Sequence, residues 1–514
     1  MNLVRLLEES ARKFAWRTSL VSEKGKVSFY ALNKKATRLA NGLSEKLRLK
    51  TGDKVALLLP NCPEFIISVF AVLKAQAVCV PLNVFLTPPE IKYILKDSQA
   101  KILISSSEFL EILRALVQEK RAPASELTGL EHIVLIDQKK EEFLYSAEIE
   151  STEKKINFTP AISPQDVAML IYTSGTTGFP KGVMLSHANI CSNVIASMQA
   201  LEFSRRDRVL LILPMFHSFT LMVCIFIPIY VGARIIVVKS LKPFQRVLRS
   251  ILLNRVTVIV GIPHLYDIFK NLILPKWLFL FLRVRVCISG AAPLSAQTFT
   301  AFREKFKKNV LLEGYGLSEA SPVVSVNPLR GEQKPGSIGL PLPGIEVKII
   351  ADDESEVSRG QIGELIVKGP NVMQGYLHNP EETKQVLRGG WLFTGDMAKI
   401  DDEGYIYIVG RKKEMILVHG MNVYPSEIEN VLGVHQQIKE VAVVGKRDSV
   451  RGEAPVAYIV LKEGARLSEN EIINFCKGKL APYKIPHTVE FRKELPKTPT
   501  GKVLKRKLKE EQNA

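Results

Sequence analysis

The apolar run VAMLIY leads into Tyr172–Val183, YTSGTTGFPKGV, which packs three glycines, four Ser/Thr hydroxyls and one lysine into twelve residues. A strand that empties into such a segment is expected to end in a loop shaped around an anion. Gly175, Gly178 and Gly182 let the backbone approach a phosphate closely, Thr173, Ser174, Thr176 and Thr177 offer hydroxyl donors, and Lys181 adds a point charge. The spacing excludes a Walker A loop, since only two residues separate Gly178 from Lys181 and glycine follows the lysine.

Short apolar runs alternate with helical patterns through the first 400 residues: VALLLP then Cys62–Lys74, TVIVG then Pro263–Asn271, VRVCISG then Leu294–Lys307. That alternation predicts parallel sheets with crossover helices and places chemistry-bearing loops at the strand carboxyl ends. After Gly404 the units shorten: strand, the charged turn Arg411-Lys412-Lys413, strand, helix Pro425–Leu432, two further strands, and a helix opened by the capping box Ser468–Glu471. A small α+β domain of about a hundred residues is expected there. Three consecutive cations between two apolar strands do not belong in a core, so the boundary is expected at 411–413.

Composition removes several classes. The six cysteines are scattered without a CxxC or Cys/His cluster, so neither a disulfide framework nor a zinc site is expected. The N-terminal MNLVRLLEESARKF has the pattern of an amphipathic helix and not of a signal peptide. Val209–Val231 holds no acidic residue, Lys or Arg over 23 residues, but Pro214, His217 and Pro228 interrupt it, and it reads as a strand and an apolar pocket wall. The net charge of +18 favours anionic partners, and from Arg411 onward 20 Lys and Arg face 13 Asp and Glu. No nucleic-acid recognition motif accompanies that charge, so no nucleic-acid partner is expected. A cytoplasmic protein is expected, with peripheral contact at the inner face of the membrane left open.

Four further segments carry chemistry: PMFHSF with His217, GYGLSEASP with Gly314, Tyr315, Gly316, Ser318 and Glu319, WLFTGD ending on Asp396, and LPKTPTGK ending on Lys502. In this order, with the Gly-rich loop, they resemble the adenylate-forming superfamily from Tyr172 to Lys502. Within it GRKKEMILVHGMNVYPSEIE, Gly410–Glu429, is most similar to bacterial fatty acyl-CoA synthetases.

The resemblance implies an α/β fold with a large multi-layer N-terminal domain of parallel-rich sheets, 1–410, and a small mobile α+β C-terminal domain, 411–514. It implies a fatty-acid:CoA ligase that makes acyl-AMP and pyrophosphate from ATP, then acyl-CoA and AMP. Thr173 to Lys181 would hold the β- and γ-phosphates, Glu319 with Thr173 would hold Mg²⁺, and Ser318 would bond the α-phosphate. Asp396 and Arg411 would take the ribose, with Tyr315, Gly314, Gly316 and Ala292 of the SGAAPL turn forming the adenine slot. Lys502 would bridge the carboxylate and the α-phosphate, His217 would gate the acyl pocket, and Gly420 would line the coenzyme A tunnel. Phe216, Phe219, Leu221, Met222 and Gly261–Pro263 would line the acyl pocket. Leu417 replaces a lysine that some members use in the second half-reaction, a replacement that fatty acyl-CoA synthetases generally share and that argues against a luciferase-like role. An aryl or short-chain acid:CoA ligase and an enzyme loading an acyl carrier protein stay open as alternatives, as does an idle binding protein on the same fold.

Overall fold

The computed structural model describes residues 1–121, 126–127, 129–150, 162–173, 180–272, 282–307, 309–448, 451–497 and 503–513. Two large sheets organise the chain as far as Tyr376. One has nine strands in the order Leu340–Pro341, Val323–Val326, Val310–Gly316, Val286–Ser289, Val258–Gly261, Arg208–Leu211, Arg234–Val237, Thr18–Ser22, Gly25–Ser28. The other has eight, ordered Gly375–Tyr376, Lys181–Ser186, Val167–Thr173, Val78–Pro81, Lys54–Leu58, Ala100–Ser105, His132–Leu135, Leu144–Tyr145. The central strands of both are parallel and their apolar runs are buried on both faces, as sheets covered by helices on each side require.

Helices fill the space between the sheets and cover both outer faces. The main core joins Leu3–Lys13, Phe29–Glu45, Pro63–Lys74, His187–Ala200 and the Leu221–Val231 stretch to the inner sheet faces. A second cluster lies under Pro88–Ser98 and Leu110–Arg121, and a third under Phe244–Leu253, Pro263–Asn271 and Ala296–Lys305. The N-terminal helix buries Leu3, Val4, Leu6, Leu7, Ser10 and Ala11 at helical spacing, and Ser10 Oγ donates to the Ile229 carbonyl at 2.6 Å.

The apolar run 209–231 divides into a strand, a short helical turn at Ser218–Thr220, a π-helical turn at Leu221–Phe226 and the helix Ile227–Val231. Pro228 falls where the π-helical turn passes into that last helix. No helix among the described residues is long and apolar enough to cross a membrane. Most of the apolar connector 272–282 lies outside the described residues.

A third sheet is antiparallel and contains Glu346–Ile350, Gly363–Lys368 and Trp391–Ile400, with Ile406–Arg411 paired to Trp391–Ile400. The fourth begins at Ile416 and joins Ile416–Val418, Met421–Val423, Ile438–Asp448, Gly452–Leu461 and Thr488–Phe491. Its two apolar clusters draw only on residues from Ile416 onward, whereas the large core ends at Ile406 with Ile408 packed against it. All six cysteines are free.

Basic charge is denser elsewhere than in the C-terminal segment. Residues 239–307 hold twelve Lys and Arg against two Asp and Glu, ten of the chain's eighteen net positive charges. Within this stretch Phe244–Leu253, Pro263–Asn271 and Ala296–Lys305 form a helical layer over the nine-stranded sheet. Lys242, Arg246, Arg249 and Arg255 are exposed there, beside Leu253 at 70% exposure.

Candidate active site

A cavity of about 1250 Å³ opens where the two large sheets, the third sheet and the C-terminal segment meet. Its wall takes Thr173 and Lys181 from a hairpin, His217–Phe219 from the loop after Arg208–Leu211, Gly314–Glu319 from the end of Val310–Gly316, Arg411–Glu414, and Lys497 and Leu504. Strand carboxyl ends supply most of these, as open parallel sheets dictate.

Thr173 and Lys181 face each other as the last pair of the antiparallel hairpin Val167–Thr173/Lys181–Ser186. The loop that joins them, with Ser174, Gly175, Thr176, Thr177 and Gly178, lies outside the described residues. The Lys181 ammonium is ion-paired with Glu382 and stands 5.7 Å from the Tyr376 ring centre. The Tyr376 hydroxyl in turn donates to Glu319 Oε1 at 2.9 Å. Burial and the neighbouring Glu319 carboxylate push the Tyr376 phenol up, so it stays a donor.

Glu319 sits in the 3-10 turn Ser318–Ala320, and Ser318 Oγ lies 3.2 Å from Ser218 Oγ. The glycines of GYG have a packing reason. A Cβ on Gly316 would lie 2.2 Å from the Pro322 carbonyl oxygen, and one on Gly314 would lie 3.1 Å from that of Ser325, because Val323–Val326 folds back on this strand.

Asp396 and Arg411 are direct cross-strand partners. Arg411 Nε reaches Asp396 Oδ1 at 2.7 Å and one Arg411 terminal nitrogen donates to the Thr394 carbonyl at 3.1 Å, while the Tyr315 hydroxyl donates to Asp396 Oδ2 at 2.5 Å. Asp396 is only 3% exposed. Its charge is matched by Arg411, and burial beside that carboxylate raises the Tyr315 phenol far above its ordinary range.

The SGAAPL turn presents Gly290 and Ala291, and not Ala292, to the cavity. Ala291 takes φ +66°, and a Cβ on Gly290 would press on the Phe219 ring at 3.0 Å. Beneath the turn lies a group the sequence reading missed: Glu313, 5% exposed, whose Oε1 accepts from the Leu294 amide at 2.8 Å. Burial pushes its carboxyl up to about 8.

His217 caps the Ser218–Thr220 turn, its Nδ1 accepting from the Phe219 amide at 3.3 Å, and burial lowers its pKa so that the ring stays neutral. Asn61 fixes the approach to this loop by donating to the Ile212 and Leu213 carbonyls at 3.3 and 3.0 Å and accepting from the Met215 amide at 3.0 Å. Phe216, Phe219, Val223 and Ile288 give the cavity its apolar part. Leu221 and Met222 are buried in the main core, and neither they nor Gly261–Pro263 line it.

Gly420 is not brought to the cavity; with φ +77° it turns the hairpin between Ile416–Val418 and Met421–Val423. Lys502 lies outside the described residues. Its neighbours Lys497 and Val503 pair antiparallel, and Lys497 and Leu504 stand on the cavity wall. Tyr376 and Glu382 carry no sequence signal of their own, since both reach the site through the pairing of Gly375–Tyr376 with Val183–Met184.

Comparison with known proteins decides the family. The AMP-binding enzyme family model matches residues 7–377, and that of the AMP-binding enzyme C-terminal domain matches 427–502. The chain belongs to the AMP-binding enzyme family. It is 39% identical over 533 residues to a long-chain-fatty-acid–CoA ligase of Bacillus subtilis (strain 168), covering 99% of this chain and 94% of that relative. Among solved structures, ATP-bound MatB from Rhodopseudomonas palustris superposes with a TM-score of 0.90 at 31% identity, covering 99% of both chains. The anthranilate CoA ligase AuaEII in complex with anthranoyl-AMP does so with a TM-score of 0.88 at 30% identity, covering 99% of this chain and 97% of that one. This AMP-binding enzyme thus has the adenylate-forming fold, α/β with parallel-rich sheets and a C-terminal part built on an antiparallel sheet.

Proposed function

We propose that this AMP-binding enzyme is an AMP-forming fatty acid:CoA ligase. One observation carries the reading: a single cavity runs from Lys181 and Glu319, past Asp396 and Arg411, to an apolar wall of Phe216, Phe219, Val223 and Ile288. Its volume exceeds the few hundred to about a thousand Å³ of an ordinary one-ligand pocket, which suits a nucleotide and an acyl chain side by side. The family and the near full-length match to a long-chain-fatty-acid–CoA ligase support the same activity.

In this reading ATP lies with its triphosphate along Thr173–Lys181 and its α-phosphate toward Ser318. The ribose hydroxyls donate to the Asp396 carboxylate, and the base rests on the Gly290–Ala291 turn beside Tyr315. The fatty carboxylate attacks the α-phosphorus, the bond to the bridging oxygen breaks, and pyrophosphate leaves. Lys502 meets the negative charge that gathers there. A unit charge pair at 4 Å is worth about 4 kcal/mol at an effective dielectric of 20, so one placed ammonium lowers the barrier substantially. The CoA thiol then attacks the acyl carbon past neutral His217 and expels AMP. Gly420 lines the thiol's approach after the C-terminal domain has turned.

Glu319 with the Thr173 hydroxyl fits Mg²⁺, a hard cation that commonly takes one or two carboxylates and otherwise substrate phosphates and waters; bound there, it would neutralise phosphate charge. Among the described residues no group of three or more acidic, His or Cys side chains gathers to hold a metal, which suits an ion that arrives with the nucleotide. That no residue between Ile408 and Ile416 belongs to either apolar core supports a domain boundary at Arg411, giving 1–410 and 411–514. The helical layer of 239–307, with exposed cations around Leu253, supports peripheral contact with an anionic membrane from which the acid is drawn.

The test is acid-dependent pyrophosphate release across acids from acetate to oleate and 4-coumarate, with CoA or a carrier protein as acceptor. Oleate with CoA is expected to win. Preference for 4-coumarate or acetate, or a requirement for carrier protein, would replace this reading with one of its rivals.

A further inference from the structure

Lys181 stands on the cavity wall at the end of the hairpin that leads into the Gly-rich loop, and its charge is already answered. Its side chain is 10% exposed and ion-paired with Glu382, itself 22% exposed. That carboxylate is held independently of the lysine. Asn379 Nδ2 donates to Glu382 Oε2 at 3.1 Å, and Asn379 Oδ1 accepts from the Glu382 amide at 3.2 Å. Glu382 lies in the first turn of Pro380–Val386, where the helix favours a negative charge.

The two charges are also fixed relative to each other. Thr383 Oγ1 accepts from the Tyr376 amide at 2.9 Å and donates to the Asn379 carbonyl at 2.8 Å, tying the helix to Gly375–Tyr376. That strand pairs with Val183 and Met184 on the strand that carries Lys181, and the Leu377 amide donates to the Gly182 carbonyl at 2.8 Å. Nearby, Glu319 adds a second carboxylate and Arg411 is spent on Asp396. Without ligand this end of the cavity offers a triphosphate no uncompensated cation among the described residues.

We propose that Glu382 is a competing counter-ion for Lys181, a positioning residue that occupies the lysine when no phosphate is bound and reclaims it as pyrophosphate leaves. The inference rests on the phosphate role proposed for Lys181. Phosphate must displace the carboxylate, so the pair weakens binding of ATP and pyrophosphate by the fraction of molecules in which it is open. A pair closed in about nine molecules of ten imposes about a tenfold penalty. Pyrophosphate is thereby held loosely after adenylation and the reverse reaction is disfavoured.

The experiment measures Mg²⁺-pyrophosphate binding by calorimetry and the KM for ATP in the full-length enzyme. Glu382→Gln keeps the amide bonds to Asn379 and removes the charge; it should bind pyrophosphate about tenfold more tightly and lower the KM for ATP in step. Glu381→Gln, in the same helical turn but paired with Lys384, should change neither. In a Lys181→Met background Glu382→Gln should have no effect. Unchanged or weaker pyrophosphate binding in Glu382→Gln overturns the proposal, as does a gain that survives Lys181→Met or is matched by Glu381→Gln. Lys181→Met with wild-type affinity for both ligands overturns the phosphate role of Lys181 as well, which separates the two failures.

Discussion

Glu313 shows how a single carboxyl can tie catalytic geometry to pH. It holds the Leu294 amide below the turn that presents Gly290 and Ala291 to the cavity, and it does so in the protonated form. Its folded pKa is raised, to about 8, above an unfolded value near the ordinary carboxylate range of about 4.3. The penalty for keeping it neutral is therefore absent at pH 4, grows as pH rises and is complete above pH 8, on the order of 5 kcal/mol. Glu313→Gln retains an acceptor for Leu294 and cannot ionise. Thermal melts at pH 5 and pH 8.5 should show little difference between variant and wild type at the lower pH and a Tm several degrees higher for the variant at the upper one. An equal gap at both values would mean that Glu313 is not the titrating group.

At the scale of elements, the strands and crossover helices were largely legible because their signals are local. Pro263–Asn271 is predicted and found with the same bounds, and the Ser468–Glu471 capping box closes with both of its hydrogen bonds. The Lys181–Glu382 pair, the Tyr376–Glu319 bond and the Asn61 clamp were not legible, because each joins residues far apart in the chain through tertiary contacts that no short window encodes. Ala291, and not Ala292, lines the cavity, and its left-handed φ is a backbone feature that alanine does not announce in a sequence. The charge of the 239–307 layer was countable in the sequence, yet its concentration on one face emerges only once three consecutive crossovers stack on the same side of the sheet. That layer carries a prediction. Arg246→Glu with Arg249→Glu on Phe244–Leu253 should cut co-sedimentation with phosphatidylglycerol vesicles at least tenfold and leave turnover of detergent-dispersed oleate unchanged, since basic residues near an anionic surface contribute about 1 kcal/mol each. Equal sedimentation of both proteins would remove this face from any membrane role.

For the whole molecule the decisive place is the short stretch between the two sets of cores. Lys412–Glu414 forms a 3-10 turn whose φ values a proline accepts, so Lys413→Pro should hold the arrangement seen here without disturbing either core. In the mechanism proposed above, with Lys497 and Leu504 on the cavity wall, that arrangement would be the adenylating one. In a single turnover Lys413→Pro should accumulate acyl-AMP and release acyl-CoA at least tenfold more slowly than Lys412→Pro. Wild-type acyl-CoA release would place the pivot elsewhere.

Arg411 has a further consequence. It is the last residue of a strand in one body, it grips Asp396 in the neighbouring strand, and the next residue begins the turn into the other body. A ligand held by that pair therefore favours one setting of the turn by the same free energy that the setting lends to the ligand. On the domain rotation and ribose contact proposed above, reciprocity would make AMP departure and the return of the C-terminal domain two readings of one equilibrium: whatever slows the swing should also make the enzyme cling to its spent nucleotide.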